Sequence, residues 1–120
     1  MTVSPATRAL VIERAAARCE SCGSSAQFLG WSQHHRRPRG AGGTKRPETN
    51  QPANLLLLCG SGTTGDHGFY ESHRELAFEH GVLVRQNQDP SEVPVLYRGA
   101  WVLLDNDGSV TACESPLVQA

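Results

Sequence analysis

The chain has 120 residues with 11 basic and 12 acidic side chains, which gives a formal net charge of −1. This length supports one small domain with a thin core, and the balanced charge excludes a uniformly basic nucleic-acid binder. No stretch approaches the apolar length of a membrane span, and the N-terminus lacks the apolar run of a secretory signal. We therefore expect a cytoplasmic protein with no membrane partner.

The first half of the chain predicts a helix, a turn and a strand. Residues 6–17 are rich in helix formers and contain no internal Gly or Pro, so we expect a short helix there. The cysteine-containing segment that follows, CESCG, is expected to form a tight turn. Residues 28–33 (FLGWSQ) predict a strand that leads into His34 and His35. Arg, Pro, Gly and Thr are frequent in residues 36–52, which predicts an exposed loop.

The next part of the chain predicts short elements around a glycine-rich loop. Residues 54–59 (NLLLLC) form a short apolar run that is either a buried strand or a turn of helix, and the loop sequence GSGTTG follows it. A second helix is expected over residues 67–80, with Phe69, Leu76 and Phe78 as its core contacts.

The C-terminal segment differs in composition from the rest. Residues 93–104 contain two apolar stretches around an Arg-Gly pair, and the turn sequence DNDG follows them. From residue 89 onward there are five acidic side chains and one basic one, a local net charge of −4. We predict an α+β fold in two units, residues 1–88 and a small β-hairpin extension over residues 89–120.

Four cysteines in a cytosolic protein favour metal binding over disulfides. Cys19 and Cys22 lie three positions apart on the predicted turn, where two thiolates can bind one ion. Cys59 is the natural third ligand, far away in sequence but next to a loop that can bring back a fourth group. That fourth ligand has several candidates, of which the first is favoured: Asp66, His67, His73 or a water molecule.

Two other interpretations of the cysteines stay open. Cys19 and Cys22 have the spacing of a redox dithiol, although such a pair usually follows a strand rather than a helix. Ordinary buried or free thiols are the second alternative. Cys113 lies outside the cluster and is interpreted as a packing residue.

The histidines are informative through their placement. His34 and His35 are adjacent at the end of a predicted strand, so their side chains should diverge. One can hold a metal while the other transfers a proton, since the ordinary imidazole pKa is about 6.5. His67 and Glu71 lie one helical turn apart and can clamp a divalent ion, whereas His73 faces elsewhere and can reach that ion or a phosphate. Taken singly, each histidine is more often a surface or capping residue.

A run of basic residues without an intervening acid follows the histidine pair. Its members are Arg36, Arg37, Arg39, Lys45 and Arg46. Guanidinium groups suit phosphate oxygens, so this charge beside the histidines predicts a phosphate-binding loop. A solvated surface loop is the alternative.

The order of these motifs resembles the HNH endonucleases, which are the ββα-metal or His-Me finger nucleases, and in particular their small zinc-containing phage and prophage members. The resemblance covers about residues 10–85 and rests on the stretches HHRRPRGAGG and NLLLLCGSGTTGDHG. It implies a ββα-metal core with a zinc-binding CxxC turn and an N-terminal helix. It also implies a phage- or prophage-encoded protein that acts in the cytoplasm of a bacterial host.

The resemblance implies a role for each matching residue. His35 corresponds to the general base that activates water for attack on a phosphodiester, and His34 to a metal ligand. Asn54 corresponds to the residue that holds the base-bearing segment by hydrogen bonding. His67 corresponds to a second ligand of the catalytic divalent ion.

Two positions depart from the family pattern. Glu71 stands where some members carry a further histidine, so His73 is kept as a secondary ligand candidate. Asp66 stands where the fourth zinc ligand is usually cysteine, and a Cys₃Asp site is expected to hold zinc less tightly than Cys₄.

The implied activity is metal-dependent hydrolysis of DNA, by nicking or double-strand cleavage, with little sequence preference. The implied catalytic ion is Mg²⁺, Mn²⁺ or another transition metal, and the implied structural ion is Zn²⁺. The implied partners are DNA and a phage terminase or other packaging protein. A zinc-stabilised nucleic-acid-binding module without catalysis is the alternative, and it would need the cysteines and arginines but not His35 or Asn54.

Overall fold

The computed structural model describes residues 3–25, 30–38 and 47–116, which form an α+β fold. In chain order the helices and strands are α1 (Pro5–Ala15), β1 (Trp31–His35), β2 (Leu55–Cys59), α2 (Gly65–Ser72), α3 (Arg74–Glu79), β3 (Val95–Tyr97), β4 (Ala100–Leu104) and β5 (Val110–Ala112). Single turns of 3-10 helix cover Pro47–Asn50, Pro52–Asn54 and Pro90–Glu92. Within these described ranges no helix is long and apolar enough to cross a membrane.

Helix α1 is defined by a cap at each end. The Ser4 side chain accepts a hydrogen bond from the Thr7 amide at 3.1 Å, which satisfies one of the free N–H groups of the first turn. Ala16 ends the helix in the left-handed conformation (φ 55) and turns the chain toward Cys19 and Cys22. Val11 and Ala15 are buried and pack the helix against β2. The helix ends two residues earlier than the sequence predicts.

Strands β1 and β2 form an antiparallel pair in which Trp31 lies opposite Cys59 and His35 lies opposite Leu55. The apolar run forms a strand rather than a turn of helix. Every residue of β2 is buried. Side chains alternate across a strand, and β2 is therefore packed on both faces. Leu55 and Leu57 contact α1, whereas Leu56 and Leu58 belong to the main core.

The single helix expected after the glycine-rich loop is instead two helices. The break lies at His73, whose backbone (φ −126, ψ 64) is not helical. Phe69, an expected core contact, is 44% exposed, so that prediction is wrong. Tyr70 and Ala77 are the buried residues of this region, and Phe78 packs against the core from a partly buried position.

The C-terminal segment contains one strand more than the predicted hairpin. Strand β4 pairs antiparallel with both β3 and β5, so the order in this sheet is β3-β4-β5. Val95, Val102 and Leu104 lie in the same core cluster as the inward residues of β2. The sheet is therefore packed onto the rest of the fold, while the domain limit after residue 88 stays a prediction.

Candidate functional site

Three cysteines and one aspartate from three separate parts of the chain meet in one cluster. Cys19 and Cys22 lie on the turn after α1, Cys59 ends β2, and Asp66 is in the first turn of α2. Their four ligand atoms all lie within 4.8 Å of one another. The Sγ atoms of Cys22 and Cys59 are 3.9 Å apart, and Sγ of Cys19 is 3.2 Å from Oδ2 of Asp66.

The glycine-rich loop brings Asp66 back to the strand end. Gly60 (φ 87) and Gly65 (φ 62) both have left-handed backbones, which favour glycine. A Cβ at Gly60 would collide with the Thr64 carbonyl, and one at Gly65 would lie 2.5 Å from the Cys59 carbonyl oxygen. This close approach lets the Asp66 amide donate to the Cys59 sulfur at 3.3 Å. The loop therefore sets the position of the fourth ligand.

The cluster fits a tetrahedral zinc ion in both geometry and charge. Two thiolates bound at the usual Zn–S distance are about 3.8 Å apart in a tetrahedral site, close to the observed separation of Cys22 and Cys59. Burial raises the pKa of Cys19 to about 12, and burial also raises the pKa of Cys59, with the Asp66 charge adding to the effect. Thiolates here need a cation, and a bound metal ion would supply it. The predicted cluster is confirmed as one that can hold a metal ion.

A second possible metal-binding group lies between β1 and α2. It consists of His34, His67 and Glu71, whose ligand atoms also lie within 4.8 Å of one another. Nδ1 of His34 is 4.0 Å and Nε2 of His67 is 3.5 Å from Oε1 of Glu71. The two imidazole rings meet edge to face with their centroids 5.2 Å apart. Spacing along a helix predicts the pair on α2, but only the fold brings His34 to it.

Each imidazole of this group has its other ring nitrogen bonded to the protein. Nε2 of His34 lies 2.8 Å from the Val82 carbonyl oxygen, and since a carbonyl only accepts, this nitrogen carries the proton. The lone pair of neutral His34 is therefore on Nδ1, the atom that faces Glu71. Nδ1 of His67 is hydrogen-bonded to the Ser32 hydroxyl, which leaves Nε2 toward Glu71. Such outer contacts are typical of metal-ligating histidines.

Burial keeps both imidazoles in the form that can bind a metal. It lowers the pKa of His34 to about 4, with smaller contributions in the same direction from His67, His35 and Arg36. It also lowers the pKa of His67, against the opposing effect of Glu71. Both rings are therefore neutral at pH 7, with one lone pair each.

His35 and His34 occupy opposite faces of the β1–β2 pair, as their adjacency predicts. His35 is half-buried, and its Nε2 lies 2.9 Å from Oδ1 of Asn50, which accepts the hydrogen bond. This contact leaves Nδ1 of neutral His35 as the proton acceptor. His73 lies outside the group formed by His34, His67 and Glu71, since it is at the helix break and its Nδ1 donates to the Phe69 carbonyl.

Asn54 fixes the chain just after His35. Its side chain is buried, and its Oδ1 accepts from the Arg37 amide at 2.7 Å. Its Nδ2 donates to the carbonyl oxygens of Arg37 and Thr49 at 3.2 and 2.8 Å. All of these partners are backbone groups of the two segments that flank residues 38–48, so Asn54 holds these segments together.

The predicted phosphate-binding role of Arg36 is wrong. Arg36 is fully buried, and its guanidinium donates to four backbone carbonyls, those of Gly81, Ala53, Pro90 and Val93. These contacts leave it no surface for a phosphate.

Arg37 does not fit the predicted role either. Its side chain is 4% exposed, donates to the Gln88 carbonyl and lies 3.4 Å from Glu48. The contact between Nη2 of Arg37 and Oε1 of Glu48 is an ion pair without hydrogen-bond geometry, so this buried nitrogen has no hydrogen-bond partner among the described residues. The other three residues of the basic run, Arg39, Lys45 and Arg46, lie outside the described residues.

Sequence reasoning missed three residues that position these groups. Ser32 precedes His34 by two residues, so strand alternation indicates that the two side chains share one face. In the structure this is the face toward α2. Asn50 has no such signal, because it lies in a segment without periodicity. Glu20, between Cys19 and Cys22, is buried. Its Oε1 lies 2.7 Å from Nη2 of Arg14 and accepts a hydrogen bond from the Leu57 amide at 2.9 Å.

Comparison with known proteins gives no family for this chain. No family model matches the sequence, and no curated protein and no solved structure matches it. What the two groups, Cys19/Cys22/Cys59/Asp66 and His34/His67/Glu71, can bind is therefore argued from the chemistry of their own side chains.

Proposed function

We propose that this protein is a metal-dependent endonuclease that hydrolyses DNA phosphodiester bonds. One observation supports this most strongly: His34, His67 and Glu71 form a possible metal-binding group. His35, which adjoins His34 in sequence, is an imidazole whose Nδ1 has no hydrogen-bond partner among the described residues. Two antiparallel strands followed by a helix carry the group, the element order that the resemblance to HNH nucleases implies. In the proposal this part of the fold is a ββα-metal core.

The chemistry of the ligands suits phosphodiester hydrolysis. A divalent ion, when bound here, supplies positive charge where negative charge develops on the phosphate oxygens. His34 and His67 present neutral imidazole nitrogens, and Glu71 presents a carboxylate, a mixture that favours Mn²⁺, Co²⁺, Ni²⁺ or Zn²⁺ over Mg²⁺ in binding strength. Glu71 is exposed, so a substrate approaching from solvent can reach the group.

His35 is the proposed general base. The hydrogen bond from its Nε2 to Asn50 orients the ring and leaves Nδ1 free to take a proton from water. Proton transfer of this kind contributes about 10²–10⁴ in rate. In-line displacement needs the attacking water and the leaving oxygen on opposite sides of phosphorus. His34 and His35 diverge from adjacent positions, which suits an arrangement with the ion on one side and the base on the other.

Asn54 is a positioning residue in this proposal. Its hydrogen bonds hold the backbone on both sides of the long loop, and the chain directly after His35 is one of those segments. The cysteine cluster, with zinc bound, holds the start of α2 against the end of β2, so it orients the helix that carries His67 and Glu71.

The proposal is tested by incubating purified protein with supercoiled plasmid and added Mg²⁺ or Mn²⁺. The wild type should convert plasmid to nicked or linear form, and His35→Ala should reduce the rate at least about 100-fold, the lower limit for loss of a general base. His80→Ala is the matched control and should cleave like the wild type, because His80 bonds to Tyr70 and belongs to neither metal-binding group.

Two results would contradict the proposal. Cleavage that is equal in His35→Ala and wild type would remove the proposed base. DNA binding without cleavage by the wild type, whatever ion is added, would favour the zinc-stabilised binding module instead. In that case the cysteine cluster would remain important, while the contacts of His35 and Asn54 would serve only the fold.

A further inference from the structure

We propose that Trp31 is a stacking subsite for an unpaired nucleobase of the substrate, at the end of β1 opposite to His35. The inference rests on the proposed function for the identity of the ligand. It rests on separate observations for the site itself, which lies on the face of the β1–β2 pair that carries neither metal-binding histidine.

Trp31 is the first residue of β1 and is 43% exposed, an unusual environment for the largest aromatic side chain. Because side chains alternate along a strand, Trp31, Gln33 and His35 share one face, and their partners across the ladder are Cys59, Leu57 and Leu55. Trp31 and His35 are four residues apart, a distance of about 13 Å along the strand. Helix α1 packs on Leu55 and Leu57 and so covers the β2 side of this face. A DNA strand lying along the β1 side, with its scissile phosphate at His35, would place a neighbouring nucleotide at Trp31.

The surface beside Trp31 has the composition that a nucleotide needs. A hollow of about 260 Å³ is lined by Arg8, Ile12, Trp31, Ser32, Gln33 and Leu57. Ile12 packs against the buried cluster that includes Leu57, and these two residues supply the apolar side chains that line the hollow beside Trp31. This volume is below the roughly 300–1,000 Å³ of pockets for drug-sized ligands, which suits one flat ring.

The charged and polar groups of the hollow match the rest of a nucleotide. Arg8 projects from α1 and is exposed, which suits a backbone phosphate. Arg36 and Arg37 are held inside the fold, so Arg8 supplies a phosphate contact of the kind that was expected from them. A base is free to stack on the indole only when it is unpaired, since its faces are covered by its neighbours in an intact duplex. The structure therefore favours single-stranded or locally opened DNA over a closed duplex at this position.

The chain has two tryptophans, so fluorescence can report on Trp31 alone. In a Trp101→Phe, His35→Ala protein, Trp31 is the single tryptophan and cleavage is blocked. Titration with oligothymidylate, with fluorescein anisotropy as an independent measure of binding, should quench Trp31 emission saturably. A Trp31→Phe, His35→Ala protein reports on Trp101 in β4 and should show little change. Unchanged Trp31 emission at saturating oligonucleotide would overturn the inference.

Affinity provides the second test. Trp31→Ala should weaken oligothymidylate binding about 5- to 150-fold, the range expected for one lost base stack. Trp31→Phe keeps an aromatic face and should stay within about threefold of wild type, and Phe69→Ala, the loss of another exposed aromatic ring, should have no effect. A closed hairpin duplex should show no Trp31→Ala effect. Equal loss on single strand and duplex, or no loss on either, would overturn the inference.

These outcomes separate the subsite from the nuclease proposal. Plasmid cleavage with no role of Trp31 in binding would overturn the subsite alone. Trp31-dependent binding by a wild-type protein that never cleaves would support the subsite and contradict the nuclease. Should Trp31→Ala prove unfolded by circular dichroism, the fluorescence titration and the Phe variant still decide the question.

Discussion

At the scale of single residues, the geometry of the second group that could hold a metal ion, His34, His67 and Glu71, is set by the contacts on the far side of each imidazole ring. The Val82 carbonyl fixes the proton of His34 on Nε2, and Ser32 occupies Nδ1 of His67. Each ring is left with one nitrogen directed at Glu71. The group is therefore oriented before any ion binds, which reduces the conformational cost of binding.

The buried state of His34 predicts a pH dependence of stability. Its pKa is lowered to about 4 in the folded protein, whereas the unfolded chain binds the same proton near pH 6.5. The stability that depends on neutral His34 is therefore complete above pH 6.5 and is lost as the pH falls from 6.5 to about 4. A difference of this size corresponds to about 3 kcal/mol.

Urea unfolding of the wild type and His34→Asn across this pH range, without added divalent ion, measures the effect. The difference in the free energy of unfolding between the two proteins should shrink by about 3 kcal/mol as the pH falls from 7 to 4. Any loss of a metal ion from the cysteine cluster at low pH would affect both proteins and cancel in the comparison. A difference that stays constant across the range would contradict the prediction.

The residue scale also shows how far the sequence can specify the site. Cys19, Cys22, Cys59 and Asp66 were predicted together because thiol chemistry limits what clustered cysteines do. The partner of His35 was not predicted, because Asn50 is one polar residue among many in a segment without regular structure. Charge alone was misleading for Arg36, since its burial depends on carbonyl groups up to 57 residues away in sequence.

At the scale of elements, the cysteine cluster links the turn after α1, the end of β2 and the start of α2. A structural zinc ion contributes its binding free energy to folding, and small folds depend on it strongly. Removing zinc or a ligand should therefore destabilise the whole fold rather than one loop.

We predict that Cys19→Ser lowers the melting temperature by more than about 10 °C and that excess chelator does the same to the wild type. Cys113→Ser is the matched control, because Cys113 lies outside the cluster, and it should leave the melting temperature nearly unchanged.

Asp66→Cys should slow zinc loss to a chelator, since a fourth thiolate binds zinc more tightly than a carboxylate does. Full stability of the wild type in chelator would refute the zinc assignment, and unchanged zinc loss in Asp66→Cys would exclude Asp66 as a ligand.

The helix break at His73 is a feature that the sequence did not predict, as is the third strand of the C-terminal sheet. Helix formers continue through this region, and no proline or glycine marks an end before Gly81. The break turns α3 so that Ala77 enters the core, while Phe69 on α2 stays exposed. Packing against distant strands decided this geometry. Local apolar and aromatic patterns predicted a strand over residues 28–33, part of which lies outside the described residues and the rest of which is in β1 (Trp31–His35), and they left β2 as either a strand or a turn of helix.

At the scale of the whole molecule, buried arginines join segments that are far apart in sequence. Arg36 connects β1 to the chain after α3, and Arg14 pairs with Glu20 and donates to the carbonyls of Pro52 and Leu55. Arg98 donates to the carbonyls of Ala15 and Cys19. The fold thus uses guanidinium groups to satisfy carbonyls that its irregular segments leave unpaired.

Replacing Arg36 by Met should destabilise the protein by at least about 3 kcal/mol, because four carbonyl oxygens, most of them buried, would each lose a hydrogen-bond donor. Equilibrium urea unfolding measures the change. The control is Arg85→Met, which removes an exposed guanidinium that lies over the Phe78 ring and should cost less than about 1 kcal/mol. Equal small effects of both substitutions would show that the Arg36 contacts contribute little to stability.

The central claim is that His34, His67 and Glu71 bind the ion on which DNA cleavage depends. The most direct measurement is the rate of plasmid nicking as a function of Mn²⁺ concentration for the wild type, His67→Ala and His80→Ala. We predict saturable activation of the wild type and His80→Ala, and for His67→Ala either no cleavage or a half-saturating Mn²⁺ concentration at least 10-fold higher, the lower limit when support for a metal site is lost. Identical Mn²⁺ curves for wild type and His67→Ala, or no nicking by the wild type with any divalent ion, would contradict the account.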